Sequence, residues 1–391
     1  MIGSELPKGW NKVKLLDIAD LSTGKVDANH STEDGLYPFF TCASEPMKSP
    51  DYSFDDESVI VPGNGANVGC VLYYNGKFQA YQRTYVLSNI KIVPKYLFYH
   101  FLRYWKERTE NNQFGSATNY VKLINFANYI VDMPSLTEQK QIAEKLDKLF
   151  DQIETIKESS NKIPELLKNF RQQVLTYAVT GKLTDSDYES WELKTLDEIA
   201  IPKAGYAFKA TDFIDNGIQV IRMGNLYDNK LSLDRNPVFV PENYDTDIIE
   251  RSRVKRNDIL LTLTGTKYKR DYGYAIKIDT DEVLLLNQRI LSLTPLIDPD
   301  YLLLVLRSDE FRNQFFEFET GGVNQGNVGV KNVMTIKLHI PSPRIQEEIV
   351  RRTKILFNIL DNVERRYNIL CEKLDKLPQA LLCKAFKGEL V

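Results

Sequence analysis

Thr137–Leu183 reads TEQKQIAEKLDKLFDQIETIKESSNKIPELLKNFRQQVLTYAVTGKL. Stepping by four and three from Ile142 gives Ile142, Leu146, Leu149, Ile153, Ile156, Ser160, Ile163, Leu167, Phe170 and Val174, and nine of these ten are apolar. A 3.5-residue period held this long keeps one stripe of a helix facing a partner, so the stretch predicts a coiled-coil helix.

The partner is encoded in the same chain. Pro134 and Pro341, Phe150 and Phe357, and Gly181 and Gly388 are each 207 residues apart, which defines a second copy without a gap. Its seam is Ile349, Thr353, Leu356, Leu360, Val363, Tyr367, Leu370, Leu374, Leu377 and Leu381. Both copies open after a Pro-Ser pair preceded by an apolar strand, Tyr129–Val131 and Ile336–Leu338. Both close with a glycine just past the seam, the usual helix stop.

The repeat is larger than the helix. Trp10, Leu15 and Ile18 near the start return as Trp191, Leu196 and Ile199 directly after the first long helix, so each unit is a globular part followed by a rod. The first globular part shows strand-like runs at Ser58–Val61, Val71–Tyr74 and Tyr85–Ser88, divided by turn segments such as Pro62-Gly63-Asn64-Gly65 and Asn75-Gly76, then a helix at Lys95–Lys106. The second repeats the order with Val220–Arg222, Ile259–Thr262, Tyr274–Ile278, Ile290–Leu293 and a helix from Tyr301. Gln82-Arg83 parallels Gln288-Arg289, and Gly115–Pro134 parallels Gly322–Pro341, while the residues between differ almost everywhere. The expected fold is therefore α+β: two mixed α/β globular domains separated by two long antiparallel helices in an intramolecular coiled coil, related by a pseudo-two-fold axis. Its boundaries are 1–135, 136–184, 185–341 and 342–391.

Antiparallel pairing makes the second helix end near the beginning of the first globular part and brings the termini close together. A rod of about 65 Å follows from roughly 1.5 Å per residue, comparable with one to two DNA turns of about 34–36 Å. Pro164 and Pro378 lie inside the two seams at non-equivalent places. Ser159-Ser160-Asn161 ahead of Pro164 predicts a bend or break there.

Composition bounds the function. The chain has 391 residues, 43% of them hydrophobic, enough for two or three domains. Four cysteines without a Cys-x-x-Cys pair and three histidines predict neither a disulfide framework nor a zinc site. The start MIGSELPKGW is not a signal peptide and no apolar run approaches about 18 residues, so a cytoplasmic protein is expected. The net charge of −3 does not announce a nucleic-acid binder, but sign is segregated. Seven basic residues (Arg251, Arg253, Lys255, Arg256, Lys267, Lys269, Arg270) face two acids between Glu250 and Arg270, whereas Ala28–Ile60 holds seven acids against Lys48 alone. The acidic stretch is expected to face away from any phosphate backbone.

At the helices the sequence resembles the specificity subunits of type I restriction-modification systems. Pro134-Ser135 with Glu138-Gln139 and Ile142, then Leu175, Ala178 and Gly181-Lys182-Leu183, is similar to that family's central conserved region. Pro341-Ser342, Gln346 and Ile349, then Leu377-Pro378-Gln379-Ala380 through Ala385-Phe386, Gly388 and Leu390, is similar to its C-terminal one. Leu6-Pro7-Lys8-Gly9-Trp10 fits the family's usual start. One departure is Arg344-Ile345-Gln346 where the first copy has Thr137-Glu138-Gln139, which predicts that contacts made by Glu138 are missing on the second side.

The resemblance implies two target recognition domains, each reading one half of a split site in double-stranded DNA, with the helices setting the unread spacer. It implies docking of two modification subunits that hold S-adenosylmethionine and methylate adenine, and of motor-nuclease subunits in the full complex. It implies no catalysis and no cofactor in this chain. The residues agree: Asn236-Pro237-Val238-Phe239 lacks the second proline of an adenine methyltransferase motif, no Gly-x-Gly-x-x-Gly follows a strand, and Gly63-x-Gly65-x-x-x-Gly69 is misspaced for a phosphate loop. Two rival readings stay open, a fused methyltransferase or nuclease, and a non-catalytic scaffold in which the coiled coil spaces two protein-binding domains.

Base edges are read by Arg, Lys, Asn and Gln in loops, with Ser, Thr and Tyr adding phosphate contacts. The candidates in the first domain are Asn64, Asn67, Gln82, Arg83, Asn119 and Lys122. In the second they are Arg222, Asn225, Thr264, Lys267, Lys269, Arg270, Gln288, Arg289 and Asn327. Thr262–Lys269, TLTGTKYK, is the strongest segment, a strand end running into a basic loop with Tyr268. The duplicated Gln-Arg pairs suggest a scaffold or phosphate role rather than sequence choice.

Overall fold

A computed structural model describes residues 6–65, 67–110, 120–184, 186–322 and 325–391. The chain forms two compact units, Met1–Asn161 with Asn368–Val391, and Lys162–Tyr367, so each contains one globular part and segments of both long helices.

In the first unit six strands form one sheet in the order Asp20–Thr23, Thr84–Ser88, Phe54–Pro62, Leu72–Ala80, Tyr37–Phe40, Met47–Ser49. All neighbours are antiparallel except Tyr37–Phe40 and Leu72–Ala80, which run parallel. Side chains alternate across a strand, and Phe54–Pro62 uses both faces. Val59 and Val61 join the core formed with the helix Pro94–Glu110, whereas Ile60 joins Phe40, Phe78 and Val86 on the other side. Leu97, Phe101 and Trp105, four apart on that helix, are fully buried, each contributing about 1.5–3 kcal/mol of apolar transfer or more. Asn75-Gly76, expected to be a turn, lies within the Leu72–Ala80 strand opposite Glu57 and Asp56. Gly76 takes φ +126° and lets the strand continue, and the turn is displaced to Tyr81–Thr84.

The second unit splits the same plan. Its two four-stranded sheets run Ala200–Ala204, Ile290–Pro295, Ile259–Thr262, Ala275–Lys277, and Phe239–Val240, Ile218–Ile221, Leu284–Leu286, Arg253–Val254. The parallel pair recurs as Ile218–Ile221 with Leu284–Leu286. The long strand Leu72–Ala80 is thus matched by two short ones. Likewise two helices, Pro299–Arg307 and Asp309–Glu317, stand for the single helix Pro94–Glu110.

A two-stranded antiparallel pair leads into each rod, Asn11–Lys14 with Ile130–Met133 and Glu192–Thr195 with Lys337–Ile340. Behind it, one buried glutamine does the same work twice. Gln139 donates through Nε2 to the Pro134 carbonyl (3.0 Å) and accepts Val93 N–H (3.1 Å). Gln346 donates to the Pro341 carbonyl (2.8 Å) and accepts Asp298 N–H (3.2 Å).

The first rod is two helices, Leu136–Ser160 and Ile163–Val179, broken where the serines and Pro164 predict; proline sits in the first turn of the second, where its missing N–H costs nothing. Pro343–Ala385 is one helix despite Pro378. Pairing is antiparallel in both units. In the first, Lys145 Nζ donates to the Leu390 carbonyl (2.6 Å) and Lys157 lies 3.9 Å from Asp375. In the second, Arg171 meets Asp361 and Glu364, and Arg352 donates to the Leu183 carbonyl (2.9 Å). As expected, the second helix ends at the start of the first globular part: a Cβ on Gly388 would lie 3.1 Å from Pro7 Cβ.

The seam is sealed over only part of its length. Ile142, Leu146, Ile153 and Leu374 in the first unit and Val174, Ile349 and Leu360 in the second are buried. Leu149, Ile163, Leu167, Leu356 and Leu381 are half-buried, and Ile156, Phe170, Val363, Leu370 and Leu377 are exposed. The reason is geometric: two helices alone cover a narrow stripe, whereas Ile142, Leu146 and Ile349 are walled in by the globular cores they join.

Candidate nucleic-acid interface

In the first unit a set of backbone hydrogen bonds builds a frame at one end of the sheet. The turn closes through Thr84 N–H to the Tyr81 carbonyl (2.8 Å), and Gln82 N–H reaches Val26 (2.9 Å). Gly63 N–H donates to the Arg83 carbonyl (2.9 Å), and Val121 N–H donates to Gly63 (2.9 Å), which sets Asn64 beside Tyr120. In the first frame the backbones approach closely here: a Cβ on Gly63 would sit 2.3 Å from the Arg83 carbonyl oxygen. The frame encloses a cavity of about 420 Å³ whose lining includes Asn64, Gln82, Arg83, Tyr85, Tyr120 and Lys122. Four of the six first-domain candidates, Asn64, Gln82, Arg83 and Lys122, are brought together there.

Asn67 donates its amide to the Cys42 carbonyl (2.7 Å) and serves as a loop tie. Asn119 lies outside the described residues.

The second unit rebuilds the frame bond for bond. Ile290 N–H donates to Asn287 (3.1 Å), Gln288 N–H to Tyr206 (3.0 Å), Leu263 N–H to Arg289 (3.1 Å) and Val328 N–H to Leu263 (3.0 Å), and Thr264 pairs with Asn327. Gln82-Arg83 and Gln288-Arg289 therefore occupy one place in the two frames, with all four side chains exposed. Asn64 and Tyr120 correspond to Thr264 and Asn327. The scaffold repeats while the side chains it presents differ.

From the second frame the loop Thr266–Asp271 extends with Lys267, Lys269 and Arg270 on it. Lys267 donates to the Gly321 carbonyl (2.9 Å) and Arg270 to Asn313 (3.1 Å), whereas the Lys269 amine makes no hydrogen bond or ion pair among the described residues. Burial depresses the Arg312 guanidinium below its usual range. It donates to the carbonyls of Gly273 (2.7 Å) and Arg270 (3.1 Å) and fixes the loop's far end.

Two further candidates belong to a separate loop. Arg222 donates to the Asn236 carbonyl (2.8 Å). Asn225 is corrected: it is 2% exposed, its amide is spent on the carbonyls of Ser232 (3.0 Å) and Arg235 (2.9 Å), and its oxygen accepts Arg222 N–H (2.9 Å), so it clamps the loop and has no polar atom left to read a base. The basic stretch is likewise thinned, because Asp281 and Asp279 engage Arg256 and hold its guanidinium above the usual range. Asn236, at φ +48°, is a turn ahead of the Phe239–Val240 strand.

Tyr120 and Tyr268 stand beside these candidates, Tyr120 outside the residues singled out from the sequence and Tyr268 within the Thr262–Lys269 segment. Tyr120 lies 207 residues before Asn327, so the repeat offset could have found it; Tyr268 carried only the signal of an aromatic between two lysines.

Twin α+β modules, each presenting exposed polar and cationic side chains from a common frame, each backed by a helix that carries the duplicated rod, define a tandem recognition protein. The type I restriction modification DNA specificity domain family matches residues 7–165 and 188–370, and the chain belongs to that family as a specificity subunit. It is 31% identical to the type I restriction enzyme EcoDI specificity subunit of Escherichia coli, covering 100% of this chain and 90% of that protein. It is 24% identical to the MjaVIII specificity subunit of Methanocaldococcus jannaschii, covering 98% and 94%. The fold is similar to that of the HsdS subunit from Thermoanaerobacter tengcongensis (TM-score 0.67, 15% identity, 99% and 98% covered). A chain from a structural study of complex assembly and conformational transition in a type I R-M system is similar too (TM-score 0.72, 15% identity, 99% and 100% covered). No described helix is long and apolar enough to cross a membrane.

Proposed function

We propose that each globular part reads one half of a bipartite site in double-stranded DNA, that the paired helices set the unread spacer, and that the helices and their flanks dock two modification subunits. In this reading the working domains are 1–135 and 185–341, with rods 136–184 and 342–391. Adenine methylation is done by the partners, which hold S-adenosylmethionine, and motor-nuclease subunits join in the full complex. The chain itself is non-catalytic and works in the cytoplasm.

The observation that carries this is the repeated frame. Asn64 with Tyr120 and Thr264 with Asn327 stand at corresponding positions, flanked by the same exposed Gln-Arg pair. A repeated backbone with unlike side chains at its rim is what two readers of two different sequences require, the invariant cations suiting phosphate and the variable amides suiting base edges.

The test is to copurify the chain with its modification partners and map methylated adenines on DNA exposed to the complex. A two-part motif is expected, with Asn64→Ala relaxing one half only and Asn327→Ala the other. Methylation without a split motif, or relaxation of both halves by either variant, overturns the assignment.

A further inference from the structure

The loop Thr266–Asp271 of the second unit is strained and heavily pinned. Tyr268 and Arg270 take left-handed backbone at φ +67° and +52°, a region costly for residues with large side chains. The pins come from several directions. The Asp271 carboxylate accepts Thr266 N–H (2.7 Å). Glu319 accepts Tyr268 N–H through Oε2 (3.3 Å) and the Tyr272 hydroxyl through Oε1 (2.7 Å). Lys267 reaches the Gly321 carbonyl, Arg312 the Arg270 carbonyl, and the Arg270 guanidinium lies 5.2 Å from the Phe316 ring centre. Gly326 leaves room for Glu319 to reach beneath the loop, since a Cβ there would lie 2.6 Å from Oε1 and 2.8 Å from the Tyr272 oxygen.

What these contacts hold in place is an aromatic ring turned to solvent. Tyr268 is 79% exposed, its hydroxyl has no hydrogen bond among the described residues, the Lys267 ammonium lies 5.0 Å from its ring centre, and Lys269 follows it. Neither the backbone strain nor the exposure of the ring stabilises the fold, so both point to a ligand. A ring flanked by two ammonium groups suits a polyanion that carries stacked bases.

We propose that Tyr268 is a wedge that stacks at a base step of the duplex half-site bound by the second unit, and that Glu319 is the positioning residue that presents it. This rests on the reading under Proposed function.

The test uses the chain assembled with its modification subunits and a duplex carrying the site mapped from methylated DNA, with 2-aminopurine placed in turn along the second half-site. Wild type brightens the probe at one step. Tyr268→Ala abolishes that signal and weakens binding by about 5- to 150-fold, the range of one base–aromatic stack, with the salt slope unchanged because no phosphate contact is lost. Tyr268→Phe retains both. Glu319→Ala loses the signal, and Glu319→Gln, which keeps an acceptor, restores it. The wedge is overturned if Tyr268→Ala binds and reports like wild type, if Tyr268→Phe is as damaging as Ala, or if Tyr268→Ala instead releases the modification subunits. A wild-type complex that fails to retain the duplex would overturn the DNA-reading assignment itself, and the wedge with it.

Discussion

The indole N–H of Trp10 donates to the Glu138 carboxylate at 3.0 Å, while that of its counterpart Trp191 is buried without a partner among the described residues. The difference follows from one position. Ile345 stands in the second copy where Glu138 stands in the first, and it packs against the core that contains Trp191 without offering an acceptor.

Removing the acceptor from the first copy should therefore hurt more than supplying one to the second helps. Glu138→Ala removes the acceptor of a part-buried N–H bonded to a carboxylate and should destabilise the first unit by about 1–3 kcal/mol. Ile345→Gln should gain at most about 1 kcal/mol, because the new hydrogen bond is offset by lost apolar burial. Denaturant titration of the two variants, followed by tryptophan fluorescence, measures both. Equal and opposite shifts would show that the indole bond is not what separates the copies.

The two lysines of the Thr266–Asp271 loop should behave differently in binding. If this loop meets DNA as proposed, Lys269, whose amine makes no hydrogen bond or ion pair among the described residues, is the lysine free to neutralise a phosphate, so Lys269→Ala should lower the slope of log affinity against log salt by about 0.9. Lys267 is tied to the Gly321 carbonyl, so Lys267→Ala should weaken binding by loosening the loop with a smaller change in slope. Anisotropy titrations of the assembled complex between low and physiological salt distinguish them. Identical slopes for wild type and Lys269→Ala would remove that lysine from the phosphate contacts.

How much of this was legible in the sequence depends on whether an insertion intervenes. Gln139 and Gln346, and Val121 and Val328, are 207 residues apart and align by eye, and so do the helices. Within the globular parts the offset drifts, from 181 between Trp10 and Trp191 to 200 between Gly63 and Leu263, 206 between Gln82 and Gln288 and 207 between Val121 and Val328, because the second unit is the longer one over each of these intervals. The frame is held by backbone hydrogen bonds, so Leu263 makes in the second unit the bonds that Gly63 makes in the first, and the residue pattern carries no trace of the match. Asn225 misled for the opposite reason: asparagine reads bases and clamps loops with the same groups, and only burial separates the two uses.

His100 should make the first unit sensitive to mild acid. Its ring is fully buried; Nε2 accepts Asp132 N–H at 3.2 Å, so the neutral form carries its proton on Nδ1, 3.0 Å from the Tyr129 hydroxyl oxygen. Desolvation outweighs the nearby Asp132 carboxylate and pushes the pKa down to about 4. The folded value lies below the unfolded one of 6.5, so the unfolded chain takes up the proton first as pH falls. Stability is then constant above about pH 6.5 and is lost progressively down to about pH 4, by up to ~3 kcal/mol. His100→Gln should flatten that part of the curve. Unfolding free energies of the two proteins between pH 7 and 4 decide it, and parallel curves would assign the acid lability to other groups.

Position along the rod, rather than membership of the heptad stripe, should set the cost of truncating a seam residue. Leu146 is 0% exposed and belongs to the core that also holds Trp10, Leu97 and Val131, whereas Ile156, ten residues further along the same helix, is 42% exposed. Leu146→Ala should cost about 2–5 kcal/mol through lost transfer energy and an unfilled cavity. Ile156→Ala should cost under about 1 kcal/mol, since half its transfer energy is never realised in the fold. If exposed seam residues serve to dock the modification subunits, Ile156→Ala should instead weaken assembly at unchanged melting temperature, and the two variants should separate cleanly on a plot of stability against subunit retention. A loss of stability from Ile156→Ala as large as from Leu146→Ala would mean that the heptad stripe is sealed along its length in solution.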